Sequence, residues 1–186
     1  PKPKIASVNR LKLPAELIGP RPKLELTCEA ATGVDTIAVA AAEARGIPVR
    51  NAKGYSTHSV AEATLGGAIA MLREVTYYDR LVKSGDYSAA GRLFNYDRPT
   101  HRLYGRRWGI IGLGAIGVQV ANVAAKLGMT VFGYDPFLSV DSALSLSRLV
   151  HRAMDLETIY KNCDYITIHV PQTPETRGML NEDAFH

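Results

Sequence analysis

The sequence is short of several features, and each shortage narrows the class of protein. It has two cysteines in 186 residues, Cys28 and Cys163. Each lies in an apolar strand or helix-end pattern, which favours buried free thiols and a reducing cytoplasm. No Cys/His spacing resembles a metal site, so no bound metal is expected.

Long apolar runs are also absent. No segment approaches the roughly 18 unbroken apolar residues of a membrane span, and residues 1–12 are charged without the apolar stretch of a signal peptide. There is no basic run interleaved with aromatic residues, which disfavours a nucleic-acid partner. The formal net charge of +4 suits an anionic cofactor or an acid substrate. We therefore expect a cytoplasmic globular protein with no membrane or nucleic-acid partner.

The most informative stretch is 108–117, which reads WGIIGLGAIG. An apolar strand pattern runs into Gly112, Gly114 and Gly117, which have G-x-G-x-x-G spacing. The first glycine permits a tight turn, the second lets a diphosphate approach the backbone, and the third lets a helix pack closely. The helix N-terminus then offers N–H groups to an anion. A strand–helix turn without a ligand remains the alternative at this point.

Two neighbouring features favour a dinucleotide site. Residues 115–127 carry apolar side chains at helical spacing, and Gly128 follows them. The next strand pattern, 129–135, ends at Asp135, about 20 residues beyond the glycines, where a ribose-binding carboxylate is expected. Because a carboxylate repels a 2′-phosphate and no arginine directly follows Asp135, NAD is favoured over NADP.

The first fifty residues alternate between strand and helix patterns, which is typical of a parallel α/β sheet. The predicted elements are strands at 4–8, 24–28 and 47–51 and one helical turn at 13–18. Asp35 is expected to cap the N-terminus of a helix over 36–45.

One long helix is predicted over 59–84, about 40 Å in length. Its first half is small and apolar and its second half is polar. This pattern predicts a helix that crosses between domains and joins a dimer interface; an ordinary long surface helix is the alternative. Residues 84–91 are expected to form a loop.

The remaining segments complete a second body. The predicted elements are a helix near 141–146, a strand near 149–151, a helix at 156–163 capped by Asp155, and an apolar strand at 164–170. With the strands before and after the glycine turn, they predict a doubly wound parallel sheet, incomplete, in the order 3-2-1-4.

Together these motifs resemble those of the D-isomer-specific 2-hydroxyacid dehydrogenases. The matching segments, in the family's order, are ATGVD (31–35), GIPVRN (46–51), YSTHSVAE (55–62), WGIIGLGAIG (108–117), YDP (134–136) and HVPQTPET (169–176). Segments 82–87 and 96–99 are most similar to members of the glycerate (hydroxypyruvate) dehydrogenase type. Tyr55, with no extra phosphate-binding arginine beside it, disfavours the related phosphoglycerate dehydrogenases.

The resemblance implies a two-domain, NAD-dependent oxidoreductase. Residues 1–52 would be part of a flavodoxin-like substrate domain, and residues 53–186 an α/β Rossmann domain that includes the long helix and lacks its last strands. A hydride would be transferred between NAD(H) and a small 2-hydroxy or 2-keto acid in the cleft between the domains. A homodimer is the implied assembly.

The resemblance also implies roles for individual residues. The cofactor-binding set is Gly112, Gly114, Ala115, Ile116, Gly117, Asp135, Val170, Pro171 and Thr176. Thr32 and Gly33 would lie where the nicotinamide and the substrate carboxylate meet, and Tyr55 would reach the substrate. Taken alone, Thr32 is equally well interpreted as a turn residue.

The family's catalytic arginine, glutamate and histidine have no counterpart here, so no catalytic residue is assigned. His58 is interpreted as a helix-start residue, and His169 as a structural residue at the end of a buried strand. The chain is expected to be truncated at both ends and inactive alone. Two alternatives stay open: a non-catalytic dinucleotide-binding scaffold of the corepressor type, and an autonomous nucleotide-binding fragment.

Overall fold

The structure, a computed structural model, describes residues 4–185, apart from the side chains of Asp183 and Phe185. The outer limits of the predicted domains, residues 1–3 and 186, lie outside the described residues. The chain divides into unit 1, Pro1–Ser56 with Pro171–Arg177, and unit 2, Thr57–Val170 with Gly178–His186. No helix in the described part of the chain is long and apolar enough to cross a membrane.

Unit 1 is built on a small parallel sheet. Its elements are β1 (Ile5–Val8), α1 (Ala15–Ile18), β2 (Leu26–Glu29), α2 (Val39–Glu43) and β3 (Val49–Asn51). The strands are parallel, as the alternating sequence pattern predicts, and lie in the order β1-β2-β3. Leu13, Ile18 and Leu24 pack with residues of α2 and its flanks to form the core. The Arg45 side chain donates to the carbonyl oxygens of Ile18 (2.5 Å) and Arg21 (3.0 Å), which satisfies the end of α1.

The predicted Asp35 helix cap is wrong. The helix begins only at Val39, after Ala38, and no side chain caps it. Residues 35 and 36 instead lie in a turn, in which the Ile37 N–H donates to the Val34 carbonyl (3.0 Å). The segment then pairs with Leu13, whose N–H donates to the Thr36 carbonyl (2.7 Å) and whose carbonyl accepts the Ala38 N–H (3.0 Å). This backbone pairing replaces the first turn of the predicted helix.

Unit 2 is a doubly wound sheet with helices on both faces. Its elements are α3 (Thr57–Leu72), α4 (Val75–Lys83), α5 (Asp86–Ala89), β4 (Arg107–Ile111), α6 (Ala115–Lys126), β5 (Thr130–Tyr134), α7 (Val140–Ser145), β6 (Val150–Arg152), α8 (Leu156–Asn162), β7 (Tyr165–Ile168) and a 3-10 helix (Glu182–Phe185). The strands are parallel and lie in the order β6-β5-β4-β7. The predicted 3-2-1-4 order is confirmed.

The central strand β4 is buried on both faces because side chains alternate along a strand. Trp108 and Ile110 pack in the cluster that contains residues of α3 and α6, while Ile111 packs with Ile159 of α8. The Trp108 indole N–H donates to the Thr167 hydroxyl (3.0 Å), so its polar atom is satisfied inside the core. Helix α8 begins as predicted, because the Asp155 carboxylate accepts the Thr158 N–H (2.7 Å).

Two predictions between residues 59 and 91 are wrong. The long helix is broken at Glu74, whose φ of +52° is left-handed, and residues 86–89 form α5 instead of a loop. The two halves pack differently: α3 buries Ala61 and Leu65, whereas α4 buries no residue. The Tyr78 hydroxyl of α4 donates to the Arg98 carbonyl (3.1 Å), which ties α4 to the loop that follows.

The break at Glu74 yields a testable stability prediction. A left-handed conformation costs a residue with a side chain about 1 kcal/mol, and glycine adopts it freely. Glu74→Gly should therefore raise the free energy of unfolding by up to about 1 kcal/mol. Urea denaturation measures the change. Glu74→Ala is the matched control, since it removes the carboxylate and keeps the strain; an equal gain in both variants would assign the effect to charge instead.

Both cysteines are free, as predicted, but each is only partly buried. Cys163 follows α8, and a Cβ placed on Gly109 of β4 would lie 3.1 Å from its sulfur. Burial raises the pKa of the Cys163 thiol to about 11. The thiol is thus protonated and unreactive at neutral pH.

Candidate functional site

The first glycine of the motif is required by the backbone. Gly112 follows β4 with a φ of +93°, a conformation that side-chain-bearing residues rarely adopt. Its N–H donates to the Tyr134 carbonyl (2.8 Å), which ties the turn to the end of β5. A Cβ at this position would stand 2.8 Å from the His169 carbonyl group and from Val170 Cγ1. Conformation and space both demand glycine here.

The third glycine is required by packing, and the second is not. A Cβ on Gly117 would overlap the Gly112 carbonyl oxygen, so only glycine lets α6 approach the turn. Gly114 has a φ of −72°, and a Cβ there would meet nothing within 4 Å. Nothing in the fold explains a glycine at this position. A ligand that approaches the backbone at Gly114 does explain it.

The open space at Gly114 lies at the N-terminus of α6. No side chain caps this helix, and its first turn carries no acidic residue. The first helical bond runs from the Val118 N–H to the Gly114 carbonyl (3.0 Å), so the N–H groups of Ala115 and Ile116 have no acceptor within the helix. These groups and the helix dipole form a cradle for an anion such as a diphosphate.

Asp135 stands at the carboxyl end of β5, beside this cradle. Its Oδ2 accepts the Leu113 N–H (2.8 Å), and its Oδ1 accepts the Phe137 N–H (2.8 Å). The carboxylate thus bridges the glycine turn and the end of β5, which the sequence pattern does not reveal. Each carboxylate oxygen has a second lone pair, and the side chain is partly exposed. It is therefore able to accept hydroxyl donors from a sugar.

His169 lies against the same turn, as the sequence-based structural role requires. Its N–H donates to the Ile111 carbonyl (2.7 Å). Its Nε2 is buried and has no hydrogen-bond partner within residues 4–185. Burial lowers the pKa of His169, because a charged ring would lose its hydration.

This burial predicts a stability loss in mild acid. Below the ordinary histidine pKa of about 6.5, His169 is protonated in the unfolded chain, whereas in the folded chain it stays neutral until the pH reaches its lowered pKa. Stability should therefore fall as the pH drops from about 6.5 toward the lowered pKa. His169→Gln should flatten this slope in urea denaturation curves measured at several pH values. His58→Gln, which replaces an exposed histidine outside this turn, is the matched control. A slope that His169→Gln changes no more than His58→Gln does would contradict the prediction.

The predicted substrate residues lie in unit 1. Thr32 and Gly33 are exposed in the turn after β2, and the Asn51 side chain at the end of β3 donates to the Thr32 carbonyl (2.5 Å). A Cβ on Gly33 would stand 2.8 Å from Asp35 Oδ1, so the Asp35 carboxylate lies close to the Gly33 backbone. Tyr55 is 67% exposed. The turn is therefore held at the carboxyl edge of the sheet, where ligands of α/β folds bind.

Pro171 and Thr176 belong to a closed turn in unit 1. The Thr176 hydroxyl donates to the Pro171 carbonyl (2.7 Å) and accepts the Thr173 N–H (2.8 Å). The Arg177 N–H donates to the Thr173 carbonyl (3.0 Å). The Thr176 side chain thus has a demonstrated role in shaping this turn. Its predicted cofactor contact stays a prediction.

The structure therefore groups the predicted residues within each unit. In unit 2 it brings together the glycine turn, the start of α6, Asp135 and Val170. In unit 1 it places Thr32 and Gly33 in one turn and Pro171 and Thr176 in another. Within residues 4–185, no cluster of three or more His, Cys, Asp or Glu residues is arranged to hold a metal ion.

Comparison with known proteins identifies the family to which the chain belongs. Residues 65–186 match the family model of the D-isomer specific 2-hydroxyacid dehydrogenase, NAD binding domain. The chain is 35% identical to glycerate dehydrogenase of Methylorubrum extorquens, over 96% of this chain and 54% of that protein. It is 37% identical to D-3-phosphoglycerate dehydrogenase of Methanocaldococcus jannaschii, over 92% of this chain and 31% of that protein.

A solved structure matches over nearly the whole chain as well. D-lactate dehydrogenase of Aquifex aeolicus, in complex with NAD and lactic acid, superposes with a TM-score of 0.85 and 29% identity, over 98% of this chain and 53% of that one. The chain thus spans about half the length of this structure and of the glycerate dehydrogenase, and less of the phosphoglycerate dehydrogenase. The α/β Rossmann-like fold expected from the sequence is confirmed. The chain belongs to the D-isomer specific 2-hydroxyacid dehydrogenase family and contains its NAD-binding domain.

Proposed function

We propose that this chain is the cofactor-binding part of an NAD-dependent 2-hydroxyacid dehydrogenase. The observation that supports this most is the free space at Gly114, where an added Cβ would meet no atom within 4 Å. This space adjoins the uncapped N–H groups of α6 and the glycine turn, whose Leu113 N–H donates to Asp135. The enzyme would interconvert a small 2-hydroxy acid and the 2-keto acid. When bound, the nicotinamide ring supplies the acceptor or donor of a hydride.

The glycine turn and Asp135, both in unit 2, would hold the adenine half of the cofactor. The N–H groups of Ala115 and Ile116 would bind the diphosphate, and Asp135 would accept the adenosine ribose hydroxyls. The negative charge of Asp135 would repel a 2′-phosphate, so NAD is preferred over NADP. Val170, Pro171 and Thr176 would line the path toward the nicotinamide.

The substrate would be held by unit 1. Thr32 and Gly33 present backbone N–H groups at a strand end, which suits a carboxylate. Tyr55 would contact the same substrate. The proposed acid is glycerate, with hydroxypyruvate as its keto form, which the similarity to a glycerate dehydrogenase supports.

We also propose an assembly and a location for the protein. A cytoplasmic homodimer, in which α3 and α4 contribute to the interface, is consistent with the exposed apolar side chains of Met71 and Val75. No nucleic-acid or membrane partner is proposed.

Turnover of a substrate panel tests the proposed activity. The full-length protein that contains this chain is mixed with NADH and hydroxypyruvate, glyoxylate, pyruvate or phenylpyruvate, and NADH oxidation is followed by absorbance. We expect the fastest oxidation with hydroxypyruvate, and none by the 186-residue chain alone. A full-length protein that binds NADH but oxidises it with none of the four acids would instead be a non-catalytic scaffold.

A further inference from the structure

Glu29, the last residue of β2, has a buried carboxylate with no part in the function proposed above. Its residue is 3% exposed, and no other Asp, Glu, Lys or Arg among residues 4–56 and 171–177 is buried. Its Oε2 accepts the Thr36 hydroxyl, while its Oε1 has no hydrogen-bond partner within residues 4–185. Burying a carboxylate is costly, and an apolar side chain of similar volume is often as stable. The stability of the sheet therefore does not explain a glutamate here.

The bond between Glu29 and Thr36 spans the turn that carries Thr32 and Gly33. The two bonded residues are seven positions apart, with the turn between them. A contact that closes a short loop reduces the number of conformations open to the residues inside it. The turn is thus constrained by a bond in which neither Thr32 nor Gly33 takes part.

Both ends of this bond are fixed in unit 1. Glu29 pairs in register with β1 on one side and β3 on the other. The Thr36 carbonyl accepts the Leu13 N–H (2.7 Å), and the adjacent Ile37 is buried. The Glu29–Thr36 bond therefore joins two anchored points and sets the distance that the turn must span.

The start of the same turn is fastened separately, by its carbonyl groups. The Asn51 side chain donates to the Thr32 carbonyl (2.5 Å), and the Ala52 N–H donates to the Ala31 carbonyl (3.1 Å). Within residues 4–185, the N–H groups of Thr32 and Gly33 donate to no acceptor. The turn is thus held at both ends and keeps two amide donors free for a ligand.

We propose that Glu29 is a positioning residue for the substrate carboxylate. Through Thr36 it fixes the turn, so that the free N–H groups of Thr32 and Gly33 keep the orientation that binds an anion. Donors that are already ordered bind more tightly, because no conformational freedom is lost on binding. The inference rests on the proposed function, which places the substrate carboxylate at this turn.

Steady-state kinetics of the full-length protein with hydroxypyruvate and NADH test this role. Glu29→Met keeps an unbranched side chain of similar length and removes the acceptor for the Thr36 hydroxyl. The KM for hydroxypyruvate should rise about tenfold with kcat unchanged, because the turn binds the substrate and the transition state alike. The melting temperature should not fall, since the cost of a buried charge is removed as well. Glu29→Gln keeps an acceptor for Thr36 and should reverse most of the rise in KM.

Thr27→Val is the matched control. Thr27 lies in β2 and is buried, and its hydroxyl donates to the Pro48 carbonyl (3.3 Å), outside the turn. The substitution removes a buried polar group of the same strand and should leave KM unchanged. A merely structural role for Glu29 predicts the opposite of the proposal, namely a lower melting temperature and an unchanged KM in Glu29→Met.

Hydrogen exchange of the same proteins, followed by mass spectrometry, measures the turn without substrate. The Ile37 N–H donates to the Val34 carbonyl (3.0 Å) and the Ala52 N–H to the Ala31 carbonyl, so both report on the turn. Their exchange should become about tenfold faster in Glu29→Met, and not in Thr27→Val. Unchanged exchange, or an unchanged KM in a protein that turns over, would overturn the inference. No turnover by the unaltered protein would instead refute the proposed function, and exchange would still decide whether Glu29 holds the turn.

Discussion

Alanine at Gly117 should strongly destabilise the protein, whereas alanine at Gly114 should leave its stability unchanged and prevent it from binding NADH tightly. The Cβ of Gly117→Ala would overlap the Gly112 carbonyl oxygen, and we expect a loss of about 3 kcal/mol in the free energy of unfolding. The Cβ of Gly114→Ala would meet no atom of the chain within 4 Å. It would instead crowd the diphosphate, and the dissociation constant for NADH should rise about 30-fold, equivalent to about 2 kcal/mol.

Urea denaturation and a fluorescence titration with NADH measure the two effects on the same samples. Gly66→Ala is the matched control, because Gly66 lies inside α3 with nothing within 4 Å of an added Cβ. It should stabilise the protein by about 0.5–1 kcal/mol through helix propensity, with unchanged NADH affinity. If Gly114→Ala bound NADH as well as the unaltered chain, no diphosphate would lie at that glycine.

Asp135→Ala should remove most of the discrimination between NADH and NADPH. In the unaltered chain we expect NADH to bind about 100-fold more tightly than NADPH, since the ribose hydroxyls hydrogen-bond to the carboxylate and a 2′-phosphate is repelled. The substitution removes both effects, and the ratio should fall below about tenfold. Parallel fluorescence titrations with the two cofactors give the ratio. Equal affinities in the unaltered chain would contradict the assignment of Asp135.

The same substitution should also loosen the glycine turn before any cofactor binds. It deprives the N–H groups of Leu113 and Phe137 of their acceptor, at a cost of about 1–3 kcal/mol in the free energy of unfolding. Asp135→Asn keeps one carbonyl oxygen in place and removes the charge. It should therefore recover part of the stability while the cofactor ratio stays low, which separates charge from hydrogen bonding.

The sheet of unit 2 was predictable because its signals are local. The glycine spacing from Gly112 to Gly117, the apolar runs on either side and the Asp155 cap each act over a few residues. The right-handed crossover rule then leaves the observed strand order as the expected one. The turn at Gly112 and the close helix packing at Gly117 followed from the same local chemistry.

The features that were missed depend on contacts between distant segments. The Glu74 break has no sequence signature, because the left-handed residue is not a glycine. Asp35 does not cap a helix, because the backbone of Thr36 and Ala38 pairs with Leu13, which is distant in sequence. The bond from Leu113 to Asp135 joins residues 22 positions apart.

NADH binding by the isolated 186-residue chain, followed residue by residue by NMR, tests the central claim most directly. We predict saturable binding, with the largest amide shifts at Gly114, Ala115 and Ile116, and competition by ADP, which shares the diphosphate. Shifts confined to other parts of the chain, or no binding at millimolar NADH by a folded sample, would contradict the assignment of the glycine turn as the cofactor cradle.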